Sequence, residues 1–178
     1  MTVSVRVATP GDASALEALI DIATRTLLPA FLSPEEIEAS LELMTVDRLL
    51  IEDGTYFIAE QGGAPVASGG WGRRREYVTA PGAALRGQEL LDPSREPARV
   101  RAMYTHPDYA RRGLGRLILR TCEDAARKAG FADAELLATL GGEPLYLAEG
   151  WHEIERTFVG TSRGIDVPAV RMGKRLAP

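Results

Sequence analysis

The residues of this sequence best suited to chemistry form a short turn rich in glycine and arginine. The turn comprises Arg111, Arg112, Gly113, Leu114, Gly115 and Arg116. It leads directly into a helical pattern, and the free N–H groups and positive dipole end of a helix N-terminus attract anions. Glycine lets a ligand come close to the backbone, and guanidinium groups add charge that suits phosphates. The turn therefore predicts a pyrophosphate site.

The segments on either side of the turn position it at the edge of a sheet. Residues 98–105 have the composition of a strand. Residues 114–129 carry an apolar face at helical spacing and are followed by Gly130, a typical helix end. Cys122 lies on that face, so we expect it to be a small core residue. The helix is thus expected to pack on the sheet, with its N-terminus at the end of a strand.

The rest of the chain predicts one mixed α/β domain over residues 1–178. Further strands are expected at 3–8, 55–60, 65–72, 134–139, 151–159 and 167–172. Helices are expected at 13–28, from Pro34 through Ile37, Leu41 and Met44, and at 144–149, with a short turn at 46–51. Residues 76–97 show no clear period and predict a long irregular loop. Gly69 and Gly70 inside a strand predict a bulge or a close approach by another group.

Composition limits the class of protein. The net charge of −4 argues against a nucleic-acid or anionic-membrane partner. The single cysteine excludes an intrachain disulfide and a cysteine-based metal cluster. The N-terminal residues lack the pattern of a secretory signal, and no apolar run is long enough to span a bilayer. We expect a soluble, cytoplasmic domain with no metal site.

Two common phosphate-binding patterns do not match the turn. A dinucleotide-binding fingerprint requires a third glycine where this sequence has Ile118. A P-loop requires Gly-Lys followed by Ser or Thr, and no such triplet occurs.

A third pattern does match. Residues 103–117 resemble the acetyl-CoA segment of the GNAT superfamily of N-acetyltransferases, whose usual pattern is Gln or Arg, two residues, Gly, one residue, then Gly or Ala. Ala110 stands at the first position of that pattern. A second similarity lies downstream, where Tyr146, Gly150 and Trp151 match the family's Tyr, three residues, Gly, aromatic motif.

The resemblance implies a fold and a cofactor. The fold is a central, mostly antiparallel sheet that is splayed between its fourth and fifth strands and flanked by helices. The cofactor is acetyl-CoA. Its binding residues would be Met103, Tyr104, Thr105, Ala110, Arg111, Arg112, Gly113, Leu114, Gly115 and Arg116.

The resemblance also implies a mechanism. Backbone groups of residues 103–105 would pair with the pantetheine arm, and an N–H near Met103 or Tyr104 would polarise the acetyl carbonyl. A primary amine, of a small molecule or a peptide, would attack directly to give a tetrahedral intermediate. Tyr146 would donate a proton to the departing thiolate; the alternative for Tyr146 is a helix tyrosine that seals the core.

Several points stay open in the sequence. Conceivable bases are Glu60, Glu76, Glu143, His106, His152 and a water chain, and none is assigned. Trp71, Arg73 and Arg101 could line the acceptor site and select a carboxylate, or the arginines could form a solvated face. A catalytically silent acyl-CoA sensor, another acyl-CoA donor or a hydroxyl acceptor are alternatives. Many members of the superfamily dimerise, and no feature of this sequence decides whether the chain forms a homodimer.

Overall fold

A computed structural model describes residues 2–75 and 89–176. In chain order the strands are β1 (Ser4–Val7), β2 (Tyr56–Gln61), β3 (Ala64–Gly72), β4 (Ala98–Thr105), β5 (Asp133–Ala138), β6 (His152–Gly160) and β7 (Asp166–Arg175). The helices are α1 (Ala13–Leu27), α2 (Pro34–Ser40), α3 (Arg48–Glu52), α4 (Leu114–Lys128) and α5 (Glu143–Ala148). None of the helices within these residues combines the length and the apolar character needed to cross a membrane.

The predicted elements are present with two differences. The helix that begins at Pro34 ends at Ser40, so Leu41 and Met44 lie in the turns after it, and residues 48–52 form a short helix where a turn was expected. Asp47 caps that helix by accepting the Leu50 N–H at 3.1 Å. Of the predicted loop at 76–97, residues 76–88 lie outside the described residues.

The seven strands form one sheet in the order β1-β2-β3-β4-β5-β7-β6. Neighbouring strands are antiparallel except β4 and β5, which run parallel and pair only at Ala98↔Ala134 and Arg99↔Glu135. Beyond these two pairs the strands separate, although each continues for several residues. The splayed, mostly antiparallel sheet that the resemblance implied is therefore confirmed.

Helices cover both faces of the sheet. On one face α4 buries Ile118, Leu119 and Cys122 completely. On the other, α1 and α3 pack against the alternate residues of the strands, with Tyr56 of β2 at the centre of that cluster. Full burial of an aliphatic side chain such as Ile118 contributes roughly 1.5–3 kcal/mol. Cys122 is a core residue as expected, and burial raises the pKa of its thiol.

A bulge interrupts the pairing of β3 with β4. Between the pairs Ser68↔Tyr104 and Gly70↔Arg101, β3 has one residue and β4 has two. Ala102, one of the two, has a φ of 58°, which is unusual for a residue with a side chain. The bulge re-aims the backbone of β4 beside the gap between β4 and β5.

Glycine on β3 makes room for this bulge. A Cβ on Gly69 would lie 2.2 Å from Met103 Sδ and 2.6 Å from Ile118 Cγ2. A Cβ on Gly70 would lie 2.8 Å from the Thr55 carbonyl oxygen. Both alternatives predicted for this glycine pair, the bulge and the close approach, are confirmed.

We predict that Gly69→Ala lowers the free energy of unfolding by about 1–3 kcal/mol, because the added methyl overpacks Met103 and the rigid Ile118. Urea denaturation measures the change. Gly11→Ala is the matched control, because its Cβ would meet only Thr9 Oγ1, at 3.7 Å. An equal and small effect of the two substitutions would contradict the packing argument.

Candidate functional site

A cavity of about 870 Å³ occupies the gap between β4 and β5. Residues 100–105 of β4 and residues 137–138 of β5 form two of its walls. The turn before α4, the helix α5 and the C-terminal part of α1 also line it. Because the two strands part after two residue pairs, the cavity reaches elements on both faces of the sheet.

The glycine- and arginine-rich turn closes one end of this cavity. Gly113 precedes α4 with a φ of 84°, and a Cβ there would meet nothing within 4 Å. Glycine is therefore required at position 113 for its backbone conformation and not for lack of space. Arg111 also has a positive φ, of 63°. The first backbone amides of α4 have no partner within the helix, so the turn presents N–H groups and a positive dipole end at the cavity.

Gly115 lines the cavity and also packs closely against other parts of the protein. A Cβ there would lie 3.0 Å from Leu145 Cδ2 and 3.7 Å from Thr105 Oγ1. Its nearest neighbours are therefore protein atoms of α5 and β4. Gly115 lets the first turn of α4 pack closely against α5.

The arginines of the turn differ in their surroundings. The Arg112 guanidinium lies 5.2 Å from the centre of the Tyr109 ring and does not line the cavity. Arg111 and Arg116 do line it. Ala110 lines it with a methyl group, which cannot supply the side-chain phosphate contact of the family pattern's first position.

A buried carboxylate, Glu149, ties the turn to α5. It forms ion pairs with Arg116 and, at 2.8 Å, with Arg120. Desolvation works to raise the pKa of Glu149, but the hydrogen bonds from Arg120 and Arg116 outweigh it and hold the pKa below its ordinary value. Sequence reasoning missed Glu149, although it directly precedes Gly150 of the tyrosine motif.

Tyr146 lies on α5 and faces the same cavity. It is 6 % exposed, and its ring packs edge-on against Trp151 at 6.1 Å between centroids. Burial raises the pKa of the phenol. Tyr146 is therefore a protonated donor at neutral pH, in largely apolar surroundings.

The β4 wall has a free strand edge. After Arg99, no residue of β4 pairs with β5 in the described chain. Met103, Tyr104 and Thr105 line the gap along this edge. An unpaired edge offers N–H and C=O groups to an extended ligand, as it would to another strand.

The three residues proposed for the acceptor site are not together. Trp71 is buried in the core, edge-on to Phe131 at 5.8 Å, and Arg73 lies over its ring at 5.6 Å. Neither lines the cavity, because Trp71 is enclosed by the core beneath α4. Arg101 does line it, and its Nε lies 2.7 Å from Oδ2 of the buried Asp47. Sequence reasoning missed Asp47, whose position before α3 signals only a helix cap.

The candidate bases that the structure describes are also outside the cavity. The four that the structure describes do not line it: Glu60, Glu143, His106 and His152. Glu76 lies outside the described residues. Asp47 is the one carboxylate among the lining residues that the structure describes.

These features define a class of protein. The parted sheet holds a free strand edge, the N-terminus of α4 borders the gap with backbone amides that have no partner within the helix, and a buried phenol faces the gap. Such a site suits an enzyme that binds an extended, phosphate-bearing molecule. The acetyltransferase (GNAT) family model matches residues 16–147, and the chain belongs to that family.

Solved structures share the fold. A GCN5-related N-acetyltransferase from Rhodopseudomonas palustris aligns with a TM-score of 0.73 at 21% identity, over 98% of this chain and 96% of its own. The PaiA N-acetyltransferase from Thermoplasma acidophilum, solved with coenzyme A, aligns with a TM-score of 0.66 at 14% identity, over 98% of this chain and 99% of its own. The YncA acetyltransferase from Salmonella typhimurium, solved with acetyl-CoA, aligns with a TM-score of 0.62 at 18% identity, over 100% of this chain and 96% of its own. A comparison with curated protein sequences found no match.

We predict that Gly113→Ala weakens the binding of coenzyme A about tenfold, measured by calorimetry. The left-handed conformation costs a residue with a Cβ about 1–2 kcal/mol, so the turn relaxes and its amides move. Gly164→Ala is the matched control. It has a φ of 71° and an equally open surrounding, but lies in the turn between β6 and β7.

Both variants are expected to lose similar stability, and only Gly113→Ala to lose affinity. Unchanged binding by a folded Gly113→Ala protein would show that the turn does not hold the phosphates.

Proposed function

We propose that this chain transfers the acetyl group of acetyl-CoA to a primary amine. The observation that carries the proposal is the buried, protonated Tyr146, which faces the same cavity as the anion-binding turn. One end of the cavity suits the pyrophosphate of the acyl donor. The same cavity is lined by Tyr146, which would donate a proton to the sulfur that must leave.

The turn and the free edge of β4 would hold the donor. The amides at the start of α4 would receive the pyrophosphate, with Arg111 and Arg116 beside them. The unpaired edge from Met103 to Thr105 would pair with the amides of the pantetheine arm. Ala110 adds no side-chain contact, so the backbone carries this recognition.

The bulge would supply electrophilic assistance. Its two β4 residues face one residue of β3, which leaves backbone groups near Met103 outside the regular ladder. An N–H there would donate to the acetyl oxygen as negative charge develops on it. The packing of Met103 over Gly69 fixes this segment before the donor binds, which is the preorganisation that such stabilisation requires.

The bond changes are those of direct acyl transfer. The amine nitrogen bonds to the acetyl carbon, the carbon–sulfur bond breaks, and the amine loses one proton. The Tyr146 hydroxyl would donate its proton to the departing sulfur, and the phenolate would regain one from the proton that the amine releases. A thiolate is costly in an apolar cavity, and the phenolate is costly there as well, so the proton that the amine releases must return to Tyr146.

We predict that Tyr146→Phe lowers kcat for thiol release from acetyl-CoA by about 100-fold, in line with the loss of a general acid. Coenzyme A binding is expected to stay within twofold, because the ring and its packing on Trp151 remain. Tyr109→Phe is the control: it also loses a phenol, and Tyr109 does not line the cavity. Full activity of Tyr146→Phe would exclude the proton-donor role. Tight coenzyme A binding by the unaltered protein without turnover of any amine would instead indicate a sensor.

We predict that kcat/KM rises with pH from about 7 to 9.5 with a slope near one and shows no descending limb. The rise follows the neutral fraction of an alkylamine, whose pKa is about 10.4. The pKa of Tyr146 is raised by burial, so the phenol keeps its proton beyond the ordinary value of about 10. A descending limb centred below pH 9, in protein shown to be folded by circular dichroism, would contradict the assignment.

A further inference from the structure

A part of the cavity wall outside the turn is formed mainly by apolar side chains. We call it the acceptor end and define it by Leu27, Leu28, Phe31, Leu43, Met44 and Val167, all of which line the cavity. Leu28, Met44 and Val167 belong to one packed cluster. Leu27 and Phe31 are 37% and 47% exposed, which is high for large apolar side chains in contact with a cavity. They offer apolar surface to whatever enters.

Within the described ranges, few charged side chains line the cavity, and the two outside the turn form an ion pair with each other. Among the described lining residues the charged ones are Asp47, Arg101, Arg111 and Arg116. Arg111 and Arg116 belong to the glycine- and arginine-rich turn. Asp47 and Arg101 pair at 2.7 Å with side chains only 4% and 8% exposed, and the second Asp47 oxygen accepts the Leu50 N–H at 3.1 Å.

This pairing decides which acceptors the site tolerates. A carboxylate on the acceptor would meet an Arg101 that Asp47 already neutralises. In the described lining, a second ammonium would meet only Asp47, whose charge Arg101 already balances and whose side chain is 4% exposed. Either group would lose its hydration against apolar walls without gaining a partner, which is unfavourable. A hydrocarbon skeleton would instead gain by leaving water.

We propose that the acceptor is a small primary amine whose remaining skeleton is apolar and carries no second charge, that is, an alkylamine or arylalkylamine. The proposal rests on the proposed function and names its substrate class. It replaces the hypothesis that Arg101 selects an acceptor carboxylate.

The same walls account for the absence of a base among the described lining residues other than the engaged Asp47. Desolvation disfavours the charged form of an amine and lowers its pKa. An acceptor amine in this surrounding is therefore converted to the neutral nucleophile by the site itself. The proton passes to water at the mouth of the cavity.

Three amines that share one carbon chain test the proposal: pentylamine, 1,5-diaminopentane and norleucine. The second adds an ammonium and the third a carboxylate to the first. We expect kcat/KM for pentylamine to exceed the other two at least tenfold, with acetylated amine measured by mass spectrometry. Calorimetry with protein saturated with coenzyme A is expected to give the same order of affinities. Equal kcat/KM values for the three amines, or a higher kcat/KM for either charged amine, would overturn the proposal.

The two readouts separate this proposal from the proposed function. If no amine is acetylated, the transferase assignment fails, and the order of binding affinities still decides the acceptor class. If a charged amine is the best substrate, the transferase stands and the acceptor class is wrong.

A matched pair of substitutions locates the acceptor end. Leu27 and Ile22 lie on the same helix with exposed fractions of 37% and 38%, but only Leu27 lines the cavity. Leu27→Glu is expected to raise the ratio of kcat/KM for 1,5-diaminopentane over pentylamine at least tenfold, and Ile22→Glu to leave it unchanged. An unchanged ratio in folded Leu27→Glu protein would contradict this location. If Leu27→Glu does not fold, the panel on the unaltered protein decides.

Discussion

The structure depends on the short parallel contact between β4 and β5. Two residue pairs hold the strands together at one end, and neither strand has a partner across the gap beyond them in the described chain. An open gap in a sheet would normally leave apolar faces and backbone groups uncovered. Here α4 covers the gap from one face, and α1 with the turns after α2 covers it from the other. The gap therefore becomes a lined cavity with a free strand edge inside it.

The bulge in β4 and the helix α4 are mechanically coupled to that gap. Met103 sits over Gly69, and Ile118 of α4 contacts the same glycine position. A shift of α4 would thus displace the β4 backbone where the acetyl group is proposed to lie. The pairing of Arg116 and Arg120 with Glu149 connects the other side of α4 to the segment that carries Tyr146. The glycine- and arginine-rich turn and Tyr146 are therefore both connected to the same helix.

Much of this fold could be predicted because its signals are local. The apolar face of α4, the glycine at its start and the alternation of the strands depend on neighbouring residues. The tyrosine motif at 146–151 also lies in one short segment.

Contacts between distant segments could not be predicted in this way. The pair of Asp47 with Arg101 joins a helix cap to the middle of a strand, and neither residue signals the other. The prediction for Trp71 was wrong for the same reason. Trp71 was proposed to line the acceptor site together with Arg73 and Arg101, but the side of the sheet on which it falls, set by long-range register with β4, places it in the core. The packing of Leu145 against Gly115 could not be predicted either, because the position of α5 is not encoded near this glycine.

The two ends of the cavity come from separate lengths of the chain. The turn before α4 lies in one continuous stretch after β4, whereas the proposed acceptor end is assembled from the end of α1 and the residues that follow it, the turns after α2, and β7. Free-energy effects of substitutions at sites without shared partners tend to add. Substitutions at the proposed acceptor end are therefore expected to change acceptor preference with little effect on donor affinity, and combined variants can be designed from single ones.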